Sequence, residues 1–315
     1  MRSEKSIARI AGAVLAGAVV AAGALVATAP AQAAAAACPA TAVFQTDGYT
    51  AGESLVNWNN SRFNHNVPAG VQIVQVPYYA GVFPVVDRLA LDASVAEGVG
   101  KLTAAVTSFH AACPSSHLTL SGYSEGAVVA GNVLEKFAKS TTIPRQQLNG
   151  VLYGNPRRPF GNGGRGGVAG GIETNLPSIL PGVTMQGPHD YAGIAVREVC
   201  NENDGICNST NMITNLAAFA NGLSGYLSGD HGYDLDPIRD TGNGVTLVAQ
   251  QPRIPYGAPL PLPIGTPWQI QQLLFGDGPA RQAAVTARNG LGGLLSPEAL
   301  ALLNGKPWFR LLAAA

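Results

Sequence analysis

The stretch His117-Leu118-Thr119-Leu120-Ser121-Gly122-Tyr123-Ser124-Glu125-Gly126 is the one on which the fold turns. Its first five residues alternate in the manner of a β-strand, and beyond it Ala127, Ala130, Leu134 and Phe137 recur at helical spacing. The pentapeptide Gly122-Tyr123-Ser124-Glu125-Gly126 therefore stands where a strand turns into a helix. A chain with 39 glycines in 315 residues produces Gly-x-Ser-x-Gly by accident often enough that the pattern alone says little. The context supplies the mechanism. On so sharp a turn the serine hydroxyl projects outward, and the two glycines let strand and helix pass closely. The helix start aims free N–H groups and the positive end of its dipole at the point where an oxyanion would form. Ser124 is thus the candidate nucleophile.

On either side of this stretch the same alternation continues. Residues 41–45 and 71–76 read as strands, the second ending at Pro77. Residues 92–112 read as a helix with Val95, Val99, Leu102, Val106 and Phe109 on one face, and 148–153 and 194–199 as further strands. Strands alternating with helices predict an α/β fold: a central, mainly parallel sheet with right-handed crossovers, flanked by helices. Residues 154–171, crowded with Gly and Arg, read as a surface loop, since no Gly-Lys-Ser/Thr closes them into a phosphate cradle. Residues 209–227 read as helical. Prolines at 252, 255, 259, 261, 263 and 267 forbid regular helix and predict an extended segment packed on the surface. Short helices are expected at 268–275, 279–289 and 296–304, the last opened by Ser296 as N-cap and Pro297 in the first turn.

Composition narrows the function. Formal net charge is zero and 12% of residues are charged, so no Lys/Arg stripe is present to neutralise phosphates, and nucleic-acid binding is not expected. Arg2, Lys5 and Arg9 precede an Ala/Val/Gly-rich run over 10–29, and Ala31-Gln32-Ala33 has the form of a cleavage site. Residues 1–33 therefore read as a signal peptide and the protein as exported, with an uncleaved membrane anchor as the alternative. The rest of the chain divides into a catalytic domain over 34–250 and a Pro-rich, helical extension over 251–315. Four cysteines in an exported chain point to two disulfides. Cys200 and Cys207 are close enough to pair locally, which leaves Cys38 with Cys113. The competing zinc reading has the wrong spacing and no histidine beside either pair.

A serine hydroxyl needs a histidine base, and the histidine a carboxylate behind it. The chain has five histidines, and in α/β-hydrolase chemistry the order is Ser, acid, His. His65, His110 and His117 precede Ser124 and fail on order; His189 and His231 remain. Asp204 lies inside the Cys200-to-Cys207 ring, where a disulfide would fix the loop that carries the acid. Asp204 followed by His231 keeps the order, whereas His189 comes before the acid. The plainer readings are a turn-forming Asp ahead of Gly205 and a surface histidine in Gly229-Asp230-His231-Gly232.

The Cys200-to-Cys207 ring around Asp204, the Ser124 elbow and the Cys38/Cys113 pair together resemble cutinases and cutinase-like esterases. The segment Tyr153-Gly154-Asn155-Pro156-Arg157-Arg158 and the Gly-rich loop after it are more similar to two related branches, the actinobacterial PE-PPE-type serine hydrolases and the phage lysin B mycolyl esterases. The resemblance covers roughly residues 38–240 and implies a cutinase-like α/β-hydrolase with Ser124 as nucleophile, Asp204 as acid and His231 as base. It implies an oxyanion hole from the backbone N–H of Glu125 and one from Tyr49 or Thr50. Two departures stand out: Glu125 replaces the Gln common after the serine, and 27 residues separate Asp204 from His231, more than in compact cutinases. The expectation is an exported serine carboxylic-ester hydrolase that uses no metal or organic cofactor. Its substrate would be a lipid, polyester or cell-envelope mycolate ester, in association with the envelope. A mycolyl-arabinogalactan or trehalose esterase is one alternative, and a non-catalytic envelope-binding protein on the same fold is another.

Overall fold

The strand–helix alternation closes into one six-stranded sheet in the computed structural model, which describes residues 38–276. The expected signal peptide and the helices at 279–289 and 296–304 lie outside the described residues. In chain order the first elements are β1 (Thr41–Thr46), α1 (Val56–Asn59), α2 (Arg62–His65), β2 (Val71–Gln75), α3 (Leu91–Ala112), β3 (His117–Tyr123), α4 (Glu125–Ala138) and β4 (Leu148–Tyr153). After them come β5 (Gly161–Asn162), β6 (Val168–Gly170), β7 (Ala195–Asn201), β8 (Ser209–Thr210), α5 (Leu216–Leu227), β9 (Gly244–Val248) and α6 (Pro267–Phe275). The main sheet runs β2-β1-β3-β4-β7-β9 with every neighbour parallel, as the alternation predicts.

Both faces of the sheet are covered at its centre, so polar residues of β1, β3 and β4 such as Gln45, Thr119, Ser121 and Asn149 are buried along with their apolar neighbours. Helices α3 and α4 cover one face, where Phe44, Leu118, Leu120 and Leu152 meet Val95, Leu102, Val128, Val129 and Leu134. Eleven of the fourteen residues of α4 are buried, so this helix is apolar all round rather than amphipathic. On α3, Val95, Leu102 and Val106 are buried and Val99 and Phe109 pack beside them, as their spacing implies. Trp58 covers the other face with Val151, Tyr153 and Leu235, and its indole N–H donates to the Thr46 carbonyl at 2.9 Å. Each such large side chain contributes about 2 kcal/mol by burial.

Two expectations shift. Residues 209–227 are not one helix: Ser209 and Thr210 pair with β6, and α5 starts at Leu216, where the Asn215 side chain caps the Ala218 N–H. Inside the Gly-rich loop, β5 and β6 form a small antiparallel sheet with β8. The Pro-rich segment is extended, as predicted, and tied down by Leu260 N–H to Thr214 O (2.9 Å) and Thr266 Oγ1 to Thr174 O (2.7 Å). Cys38 is bonded to Cys113 and Cys200 to Cys207.

The register decides where chemistry can gather. Thr46 pairs with Gly122, Tyr123 with Tyr153, and Tyr153 with Val199, so β1, β3, β4 and β7 all finish at the same edge. In a parallel sheet that carboxyl edge is where the loops converge on a ligand.

Candidate active site

Ser124 alone separates β3 from α4, with φ 55° and ψ −122°. A non-glycine residue held there stores strain, and the surroundings enforce it. The Ser124 N–H donates to Tyr153 O at 2.9 Å, and a Cβ on Gly126 would lie 2.3 Å from Thr46 O. Beside the elbow runs the loop after β1, so close that a Cβ on Gly48 would stand 2.8 Å from Ser124 Cβ. In that loop the Gly48 N–H donates to Asp47 Oδ1 (2.8 Å), and the Thr50 and Ala51 N–H groups to Ala80 O (3.0 and 2.9 Å). Thr50 is therefore spoken for. The Tyr49 N–H has no partner among the described residues, and neither has the Glu125 N–H in the first turn of α4.

Asp204 is fully buried within the disulfide ring. Its Oδ1 accepts from the Ile206 N–H (3.0 Å), and its Oδ2 lies 2.7 Å from His231 Nδ1. The structure thus brings these two residues together across 27 positions of sequence. Around the imidazole stand Tyr123, Tyr226 and Tyr233, with ring centroids 5.1, 5.3 and 6.0 Å away. His231 Nε2 is buried and has no protein partner among the described residues. A Cβ on Gly154 would touch His231 Cε1 at 2.6 Å, and Gly154 directly succeeds the Tyr153 carbonyl that holds the Ser124 N–H. The imidazole therefore abuts the elbow. His189 lies elsewhere, packed against Gly131 of α4 and 3.3 Å from Glu135, and burial pushes its pKa down to about 4.

Several supporting side chains carry no sequence signal. The Tyr123 hydroxyl donates to His231 O (2.9 Å), and Asn201 Nδ2 donates to Asp230 O (2.8 Å) and Gly232 O (3.1 Å), which pins the histidine loop from both ends. Tyr233 reaches Asp204 itself, 2.5 Å from Oδ2. Arg158, fully buried, donates to Cys207 O, Ala169 O and Asn208 Oδ1, bracing the exit of the disulfide ring. Tyr123, Arg158 and Asn201 lie in segments that the sequence singles out (the elbow, the Tyr153-to-Arg158 stretch and the disulfide ring), but nothing there marks their roles, and Tyr233 lies in none of them. Among the described residues, no group of three or more His, Cys, Asp or Glu converges as a metal site.

Glu125 is buried, its Oε1 accepting from Ser94 Oγ at 2.7 Å while Oε2 has no partner among the described residues. Burial pushes its pKa up to about 8, with Asp87 and Glu173 adding to the rise and Ser94 opposing it. The folded state therefore keeps this proton over a range where the unfolded chain, at the ordinary 4.5, has lost it. Stability contributed by the neutral acid is fully present below about pH 4.5 and is lost as pH rises to about 8. Glu125→Gln keeps the shape and removes the titration. In urea melts from pH 5 to pH 9 the variant should gain on the wild type as pH rises, by on the order of 3 kcal/mol at pH 9. A constant difference across that range would contradict the assignment.

The PE-PPE domain family matches residues 68–253, more than half of the chain. The chain is 31% identical over 136 residues to a carboxylesterase Culp6 homolog of Corynebacterium glutamicum, a match covering 38% of this chain and 44% of that protein. It is 33% identical over 134 residues to the uncharacterized PPE family protein PPE28 of Mycobacterium tuberculosis, covering 40% of this chain and 18% of that protein. The chain thus spans less than half the length of either curated relative. Among solved structures, the catalytic core domain of acetyl xylan esterase from Trichoderma reesei aligns with a TM-score of 0.39 and 20% identity, over 63% of this chain and all of that one.

Proposed function

The chain belongs to the PE-PPE domain family, and on that premise we propose that it is an exported serine hydrolase of carboxylic esters. The observation that carries this reading is His231: Nδ1 bound to a buried carboxylate, Nε2 buried and unpartnered, the ring against a strained serine turn. Ser124 Oγ attacks the ester carbonyl as its proton passes to His231 Nε2. The tetrahedral oxyanion is met by the N–H groups of Glu125 and Tyr49, and Asp204 stabilises the imidazolium. The imidazolium returns the proton to the leaving alcohol, and water activated by the same His231 then releases the acid from the acyl-serine. The basic, apolar and small-residue order of positions 1–33 supports export, and two disulfides agree with an oxidising compartment. Residues 251–315 are proposed as an extension of the catalytic domain rather than a second domain.

For the acyl side we favour an apolar chain. Tyr49 and Phe83, packed edge to face, are exposed together with Val85 and Val86 just after Phe83, as are Leu223, Tyr226 and Leu227 near the end of α5, where Tyr226 lies against His231. A second observation favours a polyol ester, such as a sugar mycolate of the envelope, as the alternative substrate. A cavity of about 310 Å³ beside Tyr123 and Gly232 is lined by Asn57, Asn60, Ser61, Arg62 and Asp234, polar groups suited to hydroxyls.

The test is covalent. A p-nitrophenyl alkylphosphonate should inactivate the enzyme with one equivalent bound, the adduct residing on the peptide that contains Ser124. Hydrolysis of p-nitrophenyl esters should proceed without added metal, and faster on longer acyl chains. Labelling elsewhere, or none together with no turnover, would overturn the reading. Preference for trehalose monomycolate over simple long-chain esters would select the polyol alternative.

A further inference from the structure

Asp204 Oδ2 has two close partners, not one. His231 Nδ1 lies 2.7 Å from it and the Tyr233 hydroxyl 2.5 Å. The direction of the second bond is fixed by a third group. The Asn201 N–H donates to Tyr233 Oη at 3.2 Å, which occupies a phenol lone pair and leaves the phenol proton for the carboxylate. Burial, and after it the nearby Asp204 charge, pushes the Tyr233 hydroxyl well above its ordinary range, so it stays a donor throughout the working pH range. The ring is held between Tyr123 and Tyr153, each with its centroid 6.1 Å away. Tyr233 lies two residues beyond His231, on the loop that Asn201 pins at Asp230 and Gly232. One short segment therefore delivers both the base and a competitor for the base's carboxylate oxygen.

We propose that Tyr233 is a positioning residue acting on His231 through Asp204: by sharing Oδ2 it fixes the carboxylate's orientation and tempers its pull on the imidazole. The inference rests on the hydrolase reading above for its catalytic meaning, and on the geometry alone for the hydrogen bond. A fully buried carboxylate with only one donor on Oδ2 concentrates its charge on that atom and holds an imidazolium more strongly. With the phenol in place, part of that charge is spent on Tyr233. The phenol thus sets both the carboxylate's orientation and how tightly it holds the imidazolium through the two proton transfers of each step. The other ionisable groups facing them are Arg158 from the segment after β4, Tyr123 at the end of β3, Tyr153 at the end of β4 and Tyr226 from α5. Tyr233→Phe leaves all of them in place, so a change on substitution reports the phenol.

The experiment is an NMR titration of the His231 ring, read alongside the pH profile of kcat/KM. In Tyr233→Phe the His231 pKa should move up by about half to one unit, carrying the acid limb of kcat/KM with it. The plateau kcat should fall about three- to tenfold with KM for a neutral ester unchanged, because the carboxylate loses its fixed orientation. A purely structural tyrosine would lower activity or stability without moving the titration. Should Tyr233→Phe fold poorly, 3,5-difluorotyrosine placed at 233 gives a stronger donor of nearly the same shape, and the titration should move down. Superimposable titrations in wild type and variants would overturn the proposal. Because the NMR readout needs no substrate, absence of ester hydrolysis in the wild type would sink the hydrolase reading and still leave the hydrogen-bond inference decided.

Discussion

Ser124→Ala should lower the turnover of p-nitrophenyl butyrate by roughly a millionfold, as loss of the nucleophile does in serine hydrolases with an intact oxyanion hole. The residue that remains cannot form the acyl intermediate, and water positioned by binding alone supplies the residual rate. Asp204→Asn should cost roughly ten-thousandfold, because the amide presents the wrong partner to His231 Nδ1 and favours the wrong tautomer. The two losses should not add: a double variant should be no slower than Ser124→Ala, since the groups act as one unit. Initial rates of the three variants check this, and additive losses would mean that Asp204 serves some other step. The same serine should also be a cost to the fold. Its φ of 55° suits glycine, so Ser124→Gly should be inactive yet more stable, by about 1 kcal/mol in a thermal melt.

The largest effect on folding is expected at Gly122. A Cβ there would sit 2.1 Å from Gly126 O and 2.6 Å from Ala127 Cα, all backbone of the turn that forms the elbow. No side chain can move aside, so β3 and α4 would have to separate and open the core beneath them. Gly122→Ala should therefore cost more than about 4 kcal/mol, the range of severe overpacking, and leave little folded protein. Gly100, on α3, is the control: a Cβ there meets nothing within 4 Å. Gly100→Ala should stabilise by about 0.5–1 kcal/mol, since alanine costs less entropy in a helix interior. Denaturant midpoints of both variants, with circular dichroism, decide it; a folded, near-wild-type Gly122→Ala would mean that the turn is looser than its contacts indicate.

The legible parts of the chain are those where local pattern and tertiary demand coincide. The run from His117 to Phe137 carries strand period, glycine pair and helix period in succession, so the elbow can be read without any contact. The pairing of Asp204 with His231, 2.7 Å apart in the structure, is legible through order and through the cysteines around Asp204. Tyr233 is not, because a tyrosine gains its role only when a fold presents a buried carboxylate to it. The choice between Tyr49 and Thr50 also lies beyond sequence, since it depends on which amide reaches Ala80 O. β9 gives no signal because its five residues come after Gly242-Asn243 and stay largely exposed at the sheet edge, so no burial pattern marks them. The start of α5 misleads for the opposite reason: apolar residues continue upstream of Leu216, but the β6 edge claims Ser209 and Thr210.

The parallel order of the main sheet has a bearing on how the chain assembles. No neighbouring pair of its strands is a hairpin, and β1 must find Val71 on one side and His117 on the other. Closing such distant loops is what makes parallel topologies slow to fold. Cys38 and Cys113 are 75 residues apart, yet they flank the first rung of the longer pairing, where the His117 N–H meets Ala40 O. Once they are joined, the search for that register is confined to a closed ring. The loop after β1 carries Tyr49, and the turn after β3 carries Ser124. Oxidation of this pair thus narrows the search that sets the loop carrying Tyr49 beside the turn carrying Ser124.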